Sequence, residues 1–380
     1  MKPIIIIGEL CQRLKINQQV YTGDLLRNIL NLGIRADVMP SAKQSYDCLM
    51  KNAPDSLGTI YTENQLLEKK YDLKIIIPAY NAEEHIEECL NSVIKQETTF
   101  TYLIEVINDG SQDSTEDILE GYRKYPNLNI IKQDNKGFSG SRNTALKNLC
   151  SKYILFLDSD DYLEKDAIQN LLSKAFLNDS DIVEGGYKQF KNNGEVIRRI
   201  IRKESVGEEA RKQLYGYPWG KVYKSELFQN LCFPEGYWFE DTIMQYTVYP
   251  KSKKITIIPD LVYNYRYNLN GITVTSKKNN KSIDSFWVTK QILNELELDK
   301  IEMDQTTFII TLQQFVMNFR RTKQLSIEIQ KSLFIQTCEL VDIYFLQSFK
   351  LEDQMLTDLF EALKERNFKE YYLICSLYKS

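Results

Sequence analysis

The chain has 380 residues, 48 basic and 52 acidic, for a net charge of −4; it is long enough for a substantial core and for more than one domain. Near-neutral charge excludes a nucleic-acid binder that depends on one dominant basic face, and seven cysteines with no CxxC and no Cys/His pairing suggest neither a disulfide framework nor a zinc site. Any catalytic triad or histidine metal site would have to use the single histidine, His85, which sits in a helix-like stretch beside two glutamates, so carboxylates are expected to do any acid, base or metal work.

Residues 1–70 predict a strand from Pro3 to Ile7, a helix over TGDLLRNILNLG (22–33) and a polar connector with Pro54 and Gly58. This N-terminal extension shows no chemistry of its own. Its isoleucine run is too short for a signal-peptide core or a membrane span, and no apolar run elsewhere reaches membrane length. A cytoplasmic protein is therefore expected, with attachment to the inner face of the membrane through basic or helical regions, and self-association, left open.

From Lys74 the text alternates: LKIIIPAY, TYLIEVINDGS, LNIIKQDN and KYILFLDSDD each precede an amphipathic stretch. Short Ile/Val/Leu runs followed by such helices predict a doubly wound, mainly parallel α/β sheet. Ligands of such sheets bind outside the carboxyl ends of the strands, and the polar clusters PAYN, NDGSQDS and DSDD stand at those ends. Beyond residue 180, DIVEGGYKQF and EVIRRIIRK read as a strand pair, followed by an aromatic stretch. From about Ser285 the spacing of Phe308, Leu312, Phe315 and Phe319, and of Leu356, Leu359, Phe360 and Leu363, is helical. The expected domains are 1–70, 71–275 and 276–380.

Asp158 and Asp160, separated by Ser159, can hold one hard cation, Mn²⁺ or Mg²⁺, and bridge it to a diphosphate; Asp161 suits a helix cap. Asp109 follows a strand and precedes a helix, with Gly110 allowing close backbone approach, so its carboxylate can accept from a nucleobase N–H or a ribose hydroxyl. Tyr80 is placed to lie against the base on a loop shaped by Pro78. Lys136, Gly137 and Arg142 bring cations and backbone amides to a helix start that welcomes phosphate.

IIIPAYNAEEHIEECLNSVIKQ, VINDGSQDST, NKGFSGSRNTAL, ILFLDSDDYL, WGKVYKSELF and FEDTIMQYTVY, in that order over roughly residues 73–270, together resemble bacterial family 2 glycosyltransferases of the GT-A fold. The resemblance implies a Rossmann-like GT-A domain that moves a sugar, with inversion, from a nucleotide-sugar donor, UDP-linked by expectation, to a saccharide, glycoprotein or lipid-linked acceptor in surface glycan assembly. It implies that Asp109 reads the base, that Pro78, Ala79, Tyr80 and Glu83 complete the nucleoside pocket, and that Asp158 and Asp160 form the DXD motif. It further implies that Asp241, beside Glu240, is the catalytic base and that Trp219, Gly220 and Lys221 lie near the acceptor or donor sugar. Ser141 and Ala145 replace residues usual in the family by other small ones, and the absence of a histidine after His85 excludes a late histidine ligand to the metal. Two other classes stay in view: a nucleotidyltransferase, although no Gly-rich triphosphate loop precedes a lysine near the first strand, and a non-catalytic scaffold that binds a partner through its C-terminal helices.

Overall fold

The computed structural model describes residues 6–7, 9–11, 13, 21, 38–54, 58–269, 271–301, 303–345 and 349–378. The helix expected over 22–33 lies outside them, as does most of the strand expected over 3–7, whose last residues Ile6 and Ile7 are helical instead. The chain divides into two compact units, one of residues 1–55, 237–239 and 272–380, the other of residues 56–236 and 240–271. Among the described residues, those before residue 55 fall in the same unit as the C-terminal helices.

The second unit is built on a ten-stranded sheet in the order β3-β2-β1-β4-β9-β6-β10-β5, with β7 paired to β6 and β8 to β10. The strands are β1 (Gln65–Ala79), β2 (Tyr102–Asn108), β3 (Leu128–Lys132), β4 (Asn148–Phe156), β5 (Tyr162–Leu163), β6 (Ile182–Phe190), β7 (Val196–Ile200), β8 (Ser205–Val206), β9 (Lys221–Lys224) and β10 (Ile255–Arg266). β1 to β4 pair in parallel, as the alternating pattern predicts. Beyond β4 the sheet is mixed, because the four-residue β9 runs antiparallel to both β4 and β6. β6 and β7 form the expected antiparallel pair.

Helix α1 (Ala42–Met50) belongs to the first unit; α2 (Ile86–Ile94), α3 (Thr115–Glu120), α4 (Gly137–Leu146) and α5 (Ala167–Asn178) follow the strands of the second. Strand residues alternate between faces. Leu73, Ile75, Ile77 and Ala79 of β1 join α2 and α5 in one apolar core. Lys74 points the other way, where its buried ammonium pairs with Glu105 at 2.7 Å and donates to the Ala145 carbonyl of α4 at 2.6 Å. A buried lysine is tolerated here because it is both paired and hydrogen-bonded.

β10 was not legible as a strand, since Pro259-Asp260 interrupts it. The pair is exposed at a bulge where the register with β6 shifts between Ile257 and Leu261. The bulged chain crowds β6, and a Cβ on Gly185 would meet Val262 Cγ2 at 2.5 Å. The Gly-Gly of DIVEGGYKQF is thereby explained.

The first unit is helical: α1, α6 (Asp284–Leu298), α7 (Gln305–Thr322), α8 (Ile327–Tyr344), α9 (Gln354–Lys364) and α10 (Phe368–Leu377). Side chains cap five of these, with Ser41 in a capping box with Gln44, Asp304, Ser326, Asp353 and Asn367 each accepting a first-turn N–H. Both helical series expected from the sequence are buried, and Phe308 meets Phe360 edge-on at 4.9 Å.

Candidate active site

The parallel register aligns Ala79 with Asn108 and Ile76 with Phe156, so β1, β2 and β4 end along one edge. The Asp109 N–H continues the ladder to the Ala79 carbonyl at 2.9 Å, and Leu157 N–H bonds the Ile76 carbonyl at 3.0 Å. Three polar loops start from this edge.

The loops after β1 and β2 are laced together. Glu83 N–H donates to Asp113 Oδ2 at 3.1 Å while Glu83 accepts the Ser114 N–H at 2.9 Å, at the start of α3. Asn81 accepts from Gln112 N–H at 2.8 Å. Burial would raise the Asp113 carboxyl, but hydrogen bonds from Thr115 and from backbone N–H groups outweigh it and hold the group below its ordinary value. Glu83 thus fixes the shape of the loop, and Tyr80 on the same loop stands 48% exposed. Ala79 belongs to the core, so it can meet a ligand only through its backbone. Pro78 is half-buried beside it.

Asp109 is 2% exposed. Its Oδ1 accepts from Gln133 Nε2 at 2.6 Å and from the Lys136 backbone N–H at 2.9 Å. Its Oδ2 is buried and accepts no hydrogen bond from the described protein. An acceptor oxygen left bare in this way is costly unless something else donates to it. Lys136 serves Asp109 through its backbone, while its side chain is exposed. Gly110 and Gly137, at φ +75 and +70, turn the chain on either side of this contact.

After β4 comes Asp158-Ser159-Asp160-Asp161. Asp161 does not cap a helix as expected; it is 1% exposed and anchors the loop to β10, accepting from Tyr263 Oη and from the Arg266 N–H, both at 2.7 Å. Ser159 and Asp160 line a crevice of about 1050 Å³ together with Tyr80, Asp113, Asn192 and Asn268. Burial, then the neighbouring Asp158, pushes the Asp160 carboxyl up. A carboxyl so placed is ready for a cation. Among the described residues no group of three Asp, Glu, His or Cys side chains converges as metal donors.

Arg142 organises the rest. It is 5% exposed, on α4, and its Nη2 donates to Asp158 Oδ1 at 3.0 Å while Nη1 is bonded to Glu240 Oε1. Burial alone would lower the guanidinium's pKa, but Glu240 and Asp158 reverse this and raise it. Burial, reinforced by Asp241, pushes the Glu240 carboxyl up, and Arg142 pulls it back. Glu240 is buried and Asp241 half-buried. The expected phosphate ligand is therefore already engaged as a bridge, joining the first aspartate after β4 to the acidic pair that begins 98 residues beyond Arg142. Asn143, which the sequence reading passed over, completes the join: its Nδ2 donates to the Phe233 carbonyl at 2.8 Å, and its Oδ1 accepts the Phe233 N–H at 2.7 Å. The only hint was its place in the SRN triplet at a helix start.

Trp219 bridges in parallel to Phe156, at the end of β4. Its ring is stacked with Tyr217 at 3.7 Å, Tyr263 at 4.5 Å and Tyr265 at 5.1 Å. Gly220, at φ +71, follows, and its carbonyl accepts the Gly185 N–H at 3.1 Å. Lys221 does not reach the crevice. It is 0% exposed, paired with Glu184 at 3.0 Å, and donates to the Tyr217 carbonyl at 2.7 Å; Arg202 holds the other Glu184 oxygen at 2.9 Å. Burial lowers its pKa to about 8 against the pull of Glu184. Its partner, a strand away, was invisible in the sequence. Lys221→Met is expected to destabilise the unit by about 3 kcal/mol through the half-paired Glu184, a loss that chemical denaturation reads directly.

Residues 74–233 match the family model described as glycosyl transferase family 2. The glycosyltransferase GlyA of Streptococcus pneumoniae is 32% identical over 211 residues, covering 51% of this chain and 30% of that protein. The uncharacterized glycosyltransferase EpsJ of Bacillus subtilis is 32% identical over 216 residues, covering 53% of this chain and 62% of its own length. The chain thus spans less than two thirds of either relative. The crystal structure of residues 1–349 of TarS from S. aureus shares the fold at a TM-score of 0.60 and 23% identity, over 80% of this chain and 90% of that one. Residues 74–233 are thus the part of the chain that is similar to glycosyl transferase family 2.

Proposed function

We propose that the chain transfers a sugar from a UDP-linked donor to a hydroxyl of a saccharide, glycoprotein or lipid-linked acceptor, with inversion at the anomeric carbon. The observation that carries this reading is the Arg142 bridge, which ties Asp158 to Glu240. The bridge links Asp158, which we assign to the diphosphate, to Glu240, the neighbour of our assigned base Asp241, at the strand ends, where α/β sheets bind their ligands. The bare Asp109 Oδ2 suits the N–H of a uracil, and the exposed Tyr80 ring suits its face. TarS has been crystallised with UDP-GlcNAc and with UDP, which supports a UDP-linked donor.

The donor set fits a divalent cation, with Asp160 raised by burial and by Asp158 and Asp158 steadied by Arg142; phosphate and water oxygens would complete its shell. When bound, such a cation neutralises charge on the leaving diphosphate. Asp241 takes the proton from the acceptor hydroxyl. The hydroxyl oxygen bonds to the anomeric carbon as the bond from that carbon to the diphosphate oxygen breaks, and the electron pair leaves with UDP. Attack opposite the leaving group inverts the centre. Among the described residues no helix is long and apolar enough to cross a membrane.

Titration calorimetry tests the site. UDP is expected to bind tightly with Mn²⁺ and at least about ten-fold more weakly with EDTA or in Asp160→Ala, the loss of one charge-assisted contact. Equal affinity in all three would remove the cation from the reading.

A further inference from the structure

The three residues before the acidic pair, Tyr237–Phe239, cluster with the helical unit. Trp238 donates its backbone N–H to Asp284 Oδ2 at 2.9 Å. Asp284, the first residue of α6, is 1% exposed and is also paired with Lys281 at 2.9 Å. The Lys281 ammonium lies 5.8 Å from the centre of the Trp238 ring. Phe239 has φ +66, in the left-handed region that a bulky L residue rarely enters. Arg321 of α7 lies over its ring at 4.0 Å and donates to Ser285 Oγ at 2.8 Å. Such a backbone conformation persists only where the surroundings over-determine it. The next two residues in the chain are Glu240 and Asp241, so the Phe239 dihedral sets the direction in which the chain enters the acidic pair.

We infer that Asp284 and Arg321 are positioning residues for the transfer. They fix Trp238 and Phe239, and through the covalent chain they set how Glu240-Asp241 is presented to the acceptor hydroxyl. Without them Phe239 relaxes toward an ordinary φ and the following peptide turns. This rests on the reading of Asp241 as the base.

The test uses the full chain with Asp284→Ala, Asp284→Asn and Arg321→Met, following nucleoside diphosphate release, melting temperature, and hydrogen–deuterium exchange of peptides covering 236–243. Asp284→Ala and Arg321→Met are expected to lower kcat by roughly 10²-fold through misplacement, with donor KM changed by less than about two-fold. Exchange across 238–241 should rise. Asp284→Asn keeps an oxygen for the Trp238 N–H and is expected to retain most of the activity and the protection. A global packing defect would instead lower the melting temperature in proportion and would not discriminate Asn from Ala. Unchanged exchange at 238–241 in Asp284→Ala, or unchanged kcat where Asp241→Asn is inactive, overturns the inference. If the wild type turns over no donor, the transfer reading fails on its own, and exchange still decides: faster exchange supports the clamp, unchanged exchange overturns it.

Discussion

Arg142→Met is expected to abolish measurable sugar transfer and to destabilise the catalytic unit by about 3–5 kcal/mol, the cost of leaving buried charge without its partner. The guanidinium is 5% exposed and serves two carboxylates. With it gone, burial and Asp241 push the Glu240 carboxyl up without the opposing pull of Arg142, so Glu240 takes up a proton more readily and the acidic pair changes character. Arg142→Lys restores the charge but not the fork that spans both acids, and it should recover stability more than activity. Chemical denaturation and turnover of the two variants separate these effects. Because Arg142 and Glu240 act as a unit, the cycle with Glu240→Gln should be strongly non-additive, with a coupling of about 1–3 kcal/mol. Additive effects would show that the bridge carries no energy.

Asp241→Asn should lower kcat by about 10²–10⁴-fold, the usual contribution of a positioned base, with UDP affinity unchanged by calorimetry. Asp241 is half-buried, and its amide keeps the shape while losing the ability to accept a proton. Glu240→Gln should behave differently, because Glu240 is buried against Arg142: it should cost stability as well as rate. A variant at Asp241 with near-normal kcat would assign the base elsewhere.

Those roles differ in how far the sequence disclosed them. Strand ends were legible because β1, β2 and β4 are long apolar runs closed by polar clusters, and register alone then places Ala79, Asn108 and Phe156 along one edge. Pairings between distant positions were not legible. Arg142 reads as a cation at a helix start, which suits phosphate, and only the fold shows that it meets Asp158 and Glu240, 16 and 98 residues away. Lys221 reads as a ligand beside Trp219, yet it faces Glu184 across β9 and β6. Asp161 reads as a helix cap, yet Tyr263 and Arg266 claim it. β10 was hidden by Pro259-Asp260, a turn signal that here makes a bulge, and β9 is too short to show a period. Near the N-terminus an isoleucine run suggested a strand by β-propensity, while Ile6 and Ile7 are helical; composition over a few residues decides little against packing.

The most direct measurement offers the purified chain a panel of UDP-, GDP- and dTDP-sugars with Mn²⁺ and follows the released nucleoside diphosphate, with Asp160→Ala and Asp241→Asn alongside. Release from a UDP-sugar in preference to the others, abolished by EDTA and by both substitutions, is the predicted result. Silence with every donor, or release that survives both substitutions, would contradict a site built on Asp158, Asp160 and Asp241.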